Sequence, residues 1–192
     1  MARVLVKIER MTSVAFLAIW TATMAAMMLP STIPLLRLDY VTTGSRARLA
    51  ALAAGYVSVW IVLASLAVGA GALLGMHGHR TTAALLAVAA LYQLLPVKRR
   101  CLERCRAPLA RMLLGWRDGL LGAAHMGVAN GLWCGGCCIG LIVALLGLGM
   151  MSWVWMGLVG AVIVLEKATP AGAALRAPLS AVLAVGAVVW AL

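Results

Sequence analysis

The side chains best able to do chemistry in this sequence carry sulfur. Its 192 residues include five cysteines and eleven methionines, against three histidines and five acids. Cys134, Cys137 and Cys138 lie within Trp-Cys-Gly-Gly-Cys-Cys. Three sulfurs this close, with glycines freeing the backbone, can converge on one ion from a single segment. The Cys-x-x-Cys inside that stretch is also the spacing of thiol redox motifs. Cys101 and Cys105 stand four apart, so on a helix both sulfurs share one face. The Lys and Arg around them favour thiolate, the form that binds metal or attacks disulfides. Met24, Met27 and Met28 follow the i, i+3, i+4 pattern, which turns Met24 toward both of the others. Thioether is a soft, neutral ligand suited to Cu(I), although methionine also packs apolar cores because it is flexible.

Other groups carry weaker signals. Glu166 closes an apolar stretch, and a carboxylate at membrane depth is expensive enough to be paired, coordinated or functional. Lys167 beside it either pairs with it or reaches for the interface. His77 and His79 read as a solvated turn, and His125 stands alone. Glu9, Asp39 and Glu103 lie in basic flanks where ion pairs explain them. Without a Gly-rich phosphate loop or a Ser–His–acid grouping, hydrolytic and transfer chemistry have little support.

The elements that must hold these groups are set by composition. Hydrophobic residues make up 65% of the chain and charged residues 11%, too few polar side chains to cover a soluble surface. The expectation is an all-α, polytopic helical membrane protein, a single integral membrane domain. About six spans can be marked, near 13–30, 49–74, 82–96, 131–149, 153–168 and 173–192. Prolines 30, 96 and 170 read as helix stops. The first apolar stretch follows basic residues as a secretory signal would, but it is long for one and reads as a retained span. The stretch 119–149 would make ~46 Å of helix, so a short apolar segment, 119–130, is expected to break or re-enter before the fourth span. Small residues recur every four positions there, at Gly115, Gly119, Ala123, Gly127, Gly131 and Gly135, which suits close helix packing.

The net charge of +11 fits basic loops beside membrane spans better than nucleic acid, since no aromatic interleaving accompanies it. Seven basic residues, Lys98, Arg99, Arg100, Arg104, Arg106, Arg111 and Arg117, fall between two apolar stretches. Counted on alternate sides of six spans, Lys and Arg divide 12 to 4. That places the basic loops in the cytoplasm and both termini outside. With direction alternating, Met27 and Met28, Cys101 and Cys105, the Cys134–Cys138 cluster and Glu166 should gather near one membrane face.

The motifs resemble a known family. They are Trp20-x-x-x-Met24-x-Ala26-Met27-Met28-Leu29-Pro30-Ser31, then Pro96-x-Lys98-x-x-Cys101-Leu102-x-x-Cys105-Arg106-x-Pro108, then Gly131-x-x-Cys134-x-Gly136-Cys137-Cys138. Gly149-Met150-Met151, Trp155-Met156 and Glu166-Lys167 follow. Together they resemble the predicted metal-binding integral membrane proteins, a bacterial family of unknown function numbered 2182. The resemblance implies a helical membrane protein with a metal site built from these Met, Cys and Glu positions. Asn130, Ile139 and Ser152 stand where that family often has histidine, tryptophan and asparagine; loss of the nearby imidazole would make the site softer and more dominated by sulfur, or would weaken a proton role.

The function expected is therefore a bacterial inner-membrane protein that binds a soft transition metal, Cu(I) ahead of Zn. It would handle the metal or serve as an accessory subunit of a membrane complex. Its metal residues would be Met24, Met27, Met28, Cys101, Cys105, Cys134, Cys137, Cys138 and Glu166, with Cys101 and Cys105 capturing the ion. The expected partners are the lipid bilayer, a membrane complex or metallochaperone, and a second copy of the chain. Two other classes compete: a thiol–disulfide oxidoreductase using the Cys pairs, and a structural subunit whose sulfur-rich face only packs.

Overall fold

Apolar residues without β-branched alternation build helices here, and the computed structural model, which describes residues 2–74, 78–149, 152–169, 172 and 174–192, consists of helices joined by short turns, with no strand among those residues. The helices are α1 (Ala2–Thr43), α2 (Arg46–Leu74), α3 (His79–Leu94), α4 (Pro96–Cys105), α5 (Pro108–Gly115), α6 (Gly119–Leu148), α7 (Trp153–Ala168) and α8 (Arg176–Ala191). Met150, Met151 and His77, singled out in the sequence, lie outside the described residues.

Local chemistry sets several boundaries. Gly44, at φ +64°, turns the chain from α1 into α2, and Ser45 Oγ accepts the Arg48 amide at 3.3 Å as an N-cap. Pro96 and Pro108 open α4 and α5, where the missing N–H costs nothing. Gly149, at φ +107°, ends α6. Ser152 Oγ then caps α7 by accepting the Trp155 amide at 3.5 Å.

The membrane expectation is corrected in number. Among the described residues, Arg46–Ala70 and Gly119–Leu148 are helices long and apolar enough to cross a bilayer, and counting each bent helix pair as one span raises the number to four. The six expected spans are not reached because α3, α7 and α8 have 16 residues each. That is ~24 Å of helix, short of a hydrocarbon core of ~30 Å.

Three further expectations change. Pro30 does not stop α1; the helix runs on to Thr43, bent by 75° between Leu17–Met28 and Thr32–Thr43. Pro30 and Pro34 explain the bend, because neither has an N–H to give to the helical ladder. The basic stretch expected as a loop folds largely into α4 and α5, with a 66° bend between α3 and α4 at Leu95.

The third change concerns the expected break in 119–130. It is absent, and α6 is one continuous helix of 30 residues. Its glycines serve contact with α2 instead of irregular backbone. A Cβ on Gly127 would strike the Leu52 carbonyl, one on Gly131 would lie 2.9 Å from Val59 Cβ, and one on Gly135 would lie 2.7 Å from Leu63 Cδ1.

The main core gathers Trp20, Tyr56, Trp60, Leu86, Leu141, Leu145 and Ile163 around α6. A second, smaller core joins Leu35, Leu52, Met112, Ala123 and Met126 at the opposite end of α2 and α6. Beside the smaller core Arg48 ties α1, α2 and α6 together. Its Nε bonds Asp39 Oδ1 at 2.8 Å, and its Nη1 donates to the Gly119 carbonyl at 3.2 Å.

Candidate metal centre

Just over one turn of α6 presents Cys134, Cys137 and Cys138, all at most 2% exposed. Thiols so buried need partners, and α6 supplies one itself: Cys137 Sγ lies 3.0 Å from the Cys134 carbonyl oxygen. The rest come from α1, α4 and α7. The i, i+3, i+7 spacing of Lys98, Cys101 and Cys105 turns all three inward along α4, together with Leu102. α4 can lie this close because residue 136 is glycine: a Cβ there would stand 2.9 Å from Cys101 Sγ.

The sulfurs form a continuous set of contacts. Cys105 Sγ lies 3.7 Å from Cys137 Sγ, Cys137 Sγ 3.6 Å from Cys138 Sγ, and Cys138 Sγ 3.7 Å from Met28 Sδ. Cys134 adjoins the group, its thiol in hydrogen-bonding contact with Cys105, Cys137 and Cys138, with Tyr56 Oη 3.5 Å away. None of the five cysteines forms a disulfide among the described residues.

One cation enters this group. Lys167 Nζ reaches Cys134 Sγ at 3.0 Å and Met28 Sδ at 3.1 Å. Glu166, one residue earlier and so about 100° around α7, faces a different partner. Its two carboxylate oxygens accept from Lys98 Nζ at 2.7 and 2.9 Å, and Gln93 Oε1 accepts from the same ammonium. Lys98, Gln93 and Glu166 are almost fully buried, so the pair ties α4 to α7 away from water.

The sequence-named residues thus divide. Met28, Cys105, Cys134, Cys137 and Cys138 are brought together, with Cys101 beside them at Gly136. Met24 is buried one helical turn along α1. Met27 turns to α7, where its Cε occupies the space above Gly160. Glu166 is given to Lys98. Arg99, Arg100 and Arg104 on the flank of Cys101 and Cys105 are exposed, whereas both thiols face the core and are 5% exposed.

Lys167, expected to pair with Glu166 or reach the interface, instead meets the sulfurs, and Lys98 and Tyr56 join the surroundings of the site without having been expected there. The heptad-like spacing of Lys98 with the α4 cysteines carries a signal for its burial. No spacing pointed to Tyr56, which arrives through α2–α6 packing.

Sulfur–sulfur separations of 3.6 to 3.7 Å suit a common ion. Thiolates held tetrahedrally at about 2.3 Å from a metal lie roughly 3.8 Å apart. The group is not yet closed around a point. Among the described residues, no three cysteine, histidine or acidic side chains are arranged to hold an ion as they stand. The donors are fit for a soft metal in type and spacing, with the Lys167 ammonium among them.

Residues 17–190 match PpoB2, a family described as copper chaperone. The chain belongs to this copper chaperone family. The matched range includes every sulfur and carboxylate of the candidate centre, and it supports the metal-handling side of the motif resemblance. No curated protein and no solved structure matches the chain. The family's description supports copper handling for the sulfur cluster.

Proposed function

We propose that the chain is a membrane-embedded copper chaperone that carries Cu(I) as cargo on Cys105, Cys134, Cys137, Cys138 and Met28. The observation that carries this reading is the meeting of four thiols and a thioether from α1, α4 and α6 within contact distance of one another. Thiolate and thioether together favour Cu(I), whereas zinc sites use thiolate, imidazole and carboxylate. Cys101, Met24 and Met27 stand next to this set as further soft donors along the ion's route.

Charge supports the monovalent ion. Cu(I) on two thiolates has a net charge of −1, and the Lys167 ammonium beside them makes the group neutral. Zn(II) on the same two thiolates would leave a buried excess of +1 with Lys167, which burial penalises. Loading requires the thiols to rotate toward one point and the ammonium to draw back from between Cys134 and Met28. Glu166, held by Lys98, keeps α7 in place while Lys167 moves. A carboxylate would add to the negative charge of a copper–thiolate group, so its pairing elsewhere fits the reading.

The setting proposed is a bacterial cytoplasmic membrane, crossed at least by α2 and α6, with the basic α4–α5 face toward the cytoplasm. A metallochaperone, a membrane complex that receives the ion, or a second copy is the partner proposed. The decisive experiment is metal analysis of the purified full-length protein, wild type and with Cys134, Cys137 and Cys138 replaced by Ser. Copper in the first and its loss in the second is the expected result. Equal, near-zero copper in both overturns the reading.

A further inference from the structure

Tyr56 brings a neutral hydroxyl to the sulfur cluster, and that hydroxyl belongs to a string of buried polar groups. Its Oη lies 3.5 Å from Cys134 Sγ and also hydrogen-bonds Thr32. Thr32 Oγ1 donates to the Met28 carbonyl at 3.4 Å and accepts from Asn130 Nδ2 at 3.5 Å. Thr32, Tyr56, Asn130 and Cys134 are all at most 3% exposed. The string joins α1, α2 and α6 and runs between two members of the copper set, the carbonyl of Met28 and the sulfur of Cys134. The tyrosine ring itself is held by packing. It sits edge-on to Trp60, with centroids 6.2 Å apart, and α6 approaches its backbone at Gly127 and Gly131.

The hydrogens decide what this hydroxyl can do. Thr32 gives its one hydroxyl hydrogen to Met28, so its oxygen accepts from Asn130 and from Tyr56. Tyr56 also has one hydrogen, with two acceptors within reach, the Thr32 oxygen and the Cys134 sulfur. While Cys134 is a thiol, it donates to Tyr56 Oη and Tyr56 donates to Thr32. Once bound to copper, Cys134 has lost its hydrogen and carries negative charge, and a charged acceptor makes a hydrogen bond roughly twice as strong. Cys134 differs from its neighbour in this respect. The Lys167 ammonium at 3.0 Å and the Tyr56 hydroxyl both reach its sulfur, whereas Cys137 gives its own hydrogen to the Cys134 carbonyl.

We propose that Tyr56 is a positioning residue for copper binding. Its hydroxyl turns from Thr32 to the Cys134 sulfur when that sulfur takes the ion, and Thr32, backed by Asn130, holds it ready for the turn. Only a hydrogen moves, because the ring stays against Trp60. Copper binding replaces the S–H bond of Cys134 by a bond from sulfur to Cu(I), the proton leaving to buffer, with no electron transferred. The inference rests on the Cu(I)-carrying reading and adds to it a neutral donor whose partner differs between the empty and loaded states.

The test uses the full-length protein in neutral detergent without oxygen, as wild type, Tyr56→Phe and Thr32→Val. The first variant keeps the ring and removes the hydroxyl, and the second removes the acceptor used in the empty state. Competition for Cu(I) against bicinchoninate should show affinity lowered roughly tenfold in Tyr56→Phe. In Thr32→Val it should be unchanged or raised, because the hydroxyl has no bond to give up. The ultraviolet thiolate-to-copper absorption should move to longer wavelength in Tyr56→Phe, since a hydrogen bond lowers the energy of the sulfur lone pairs. In Thr32→Val it should stay in place. Wild-type affinity and absorption in Tyr56→Phe overturn the inference and leave the Cu(I)-carrying reading standing. A merely structural role would weaken both variants without moving the band, with the same consequence. Lowered affinity in Thr32→Val overturns the inference by itself, and so decides the matter if Tyr56→Phe does not fold. No copper bound by wild type overturns the Cu(I)-carrying reading, and the inference with it.

Discussion

Lys167 and Glu166 are neighbours in sequence with opposite roles, and the helix explains why. Consecutive residues on α7 diverge by about 100°, so one reaches the thiols and the other Lys98. Replacing Lys167 by Met removes the cation from beside Cys134 and Met28 and leaves the bound copper–thiolate group uncompensated. Competition against a copper chelator should then show affinity lowered by roughly tenfold or more (about 1.4 kcal/mol), with Lys167→Arg retaining most of it. Unchanged affinity in Lys167→Met would remove the counter-charge role. The Lys98–Glu166 pair predicts a different signature. Glu166→Gln strands a buried ammonium and should cost about 3–5 kcal/mol in thermal or denaturant unfolding. The double change Lys98→Met with Glu166→Leu should recover most of that loss and still bind copper. Loss of copper from a stable double variant would instead place Glu166 in the metal centre.

At the scale of elements, the centre depends on how closely α4 and α2 can approach α6. Gly127 lies against the backbone of α2 at Leu52, and Gly136 lies under Cys101. Backbone cannot move aside as a flexible side chain can, so Gly127→Ala should separate the two helices. The expected cost is about 1–3 kcal/mol, read as a lowered unfolding midpoint in detergent. Gly157, which has nothing within 4 Å of an added Cβ, provides the comparison, and Gly157→Ala should leave the midpoint where it is. Equal effects of the two changes would refute the packing account. The same contacts explain why 119–130 stays helical. A helix whose glycines are filled by a neighbour's backbone has no cavity in which to unwind.

For the molecule as a whole, the two cores divide the chain into a larger sulfur-bearing part and a smaller part around Leu35, Leu52 and Met126. Arg46 and Arg48 on α2 and Arg111 on α5 accompany the smaller part, while the basic helix α4 packs its cysteines into the larger one. This distribution suits a protein whose apolar end is in lipid and whose basic end faces anionic headgroups. Alkaline carbonate extraction of cell membranes should accordingly leave the chain in the pellet. Release into the supernatant would show it to be peripheral and withdraw the membrane setting.

Spacing alone determined a good deal about this protein. Cysteines four apart on a basic helix, three more within five positions and methionines at helical intervals point to sulfur chemistry, soft-metal binding ahead of thiol exchange, because side-chain direction follows from the helical repeat. Composition determined the helical class, since so few polar groups leave the backbone to satisfy itself. What spacing cannot express is contact between helices distant in sequence. Cys105 meets Cys137 and Met28 meets Cys138 only because glycines on α6 let other helices come near. The continuity of α6, the bend after Met28 and the shortness of α3, α7 and α8 likewise depend on neighbours and on local backbone geometry. Above all, tertiary packing decided which charge joins the sulfurs. Glu166 was the residue to expect there, and the rotation of α7 put Lys167 in its place, a cation that a copper–thiolate group can use.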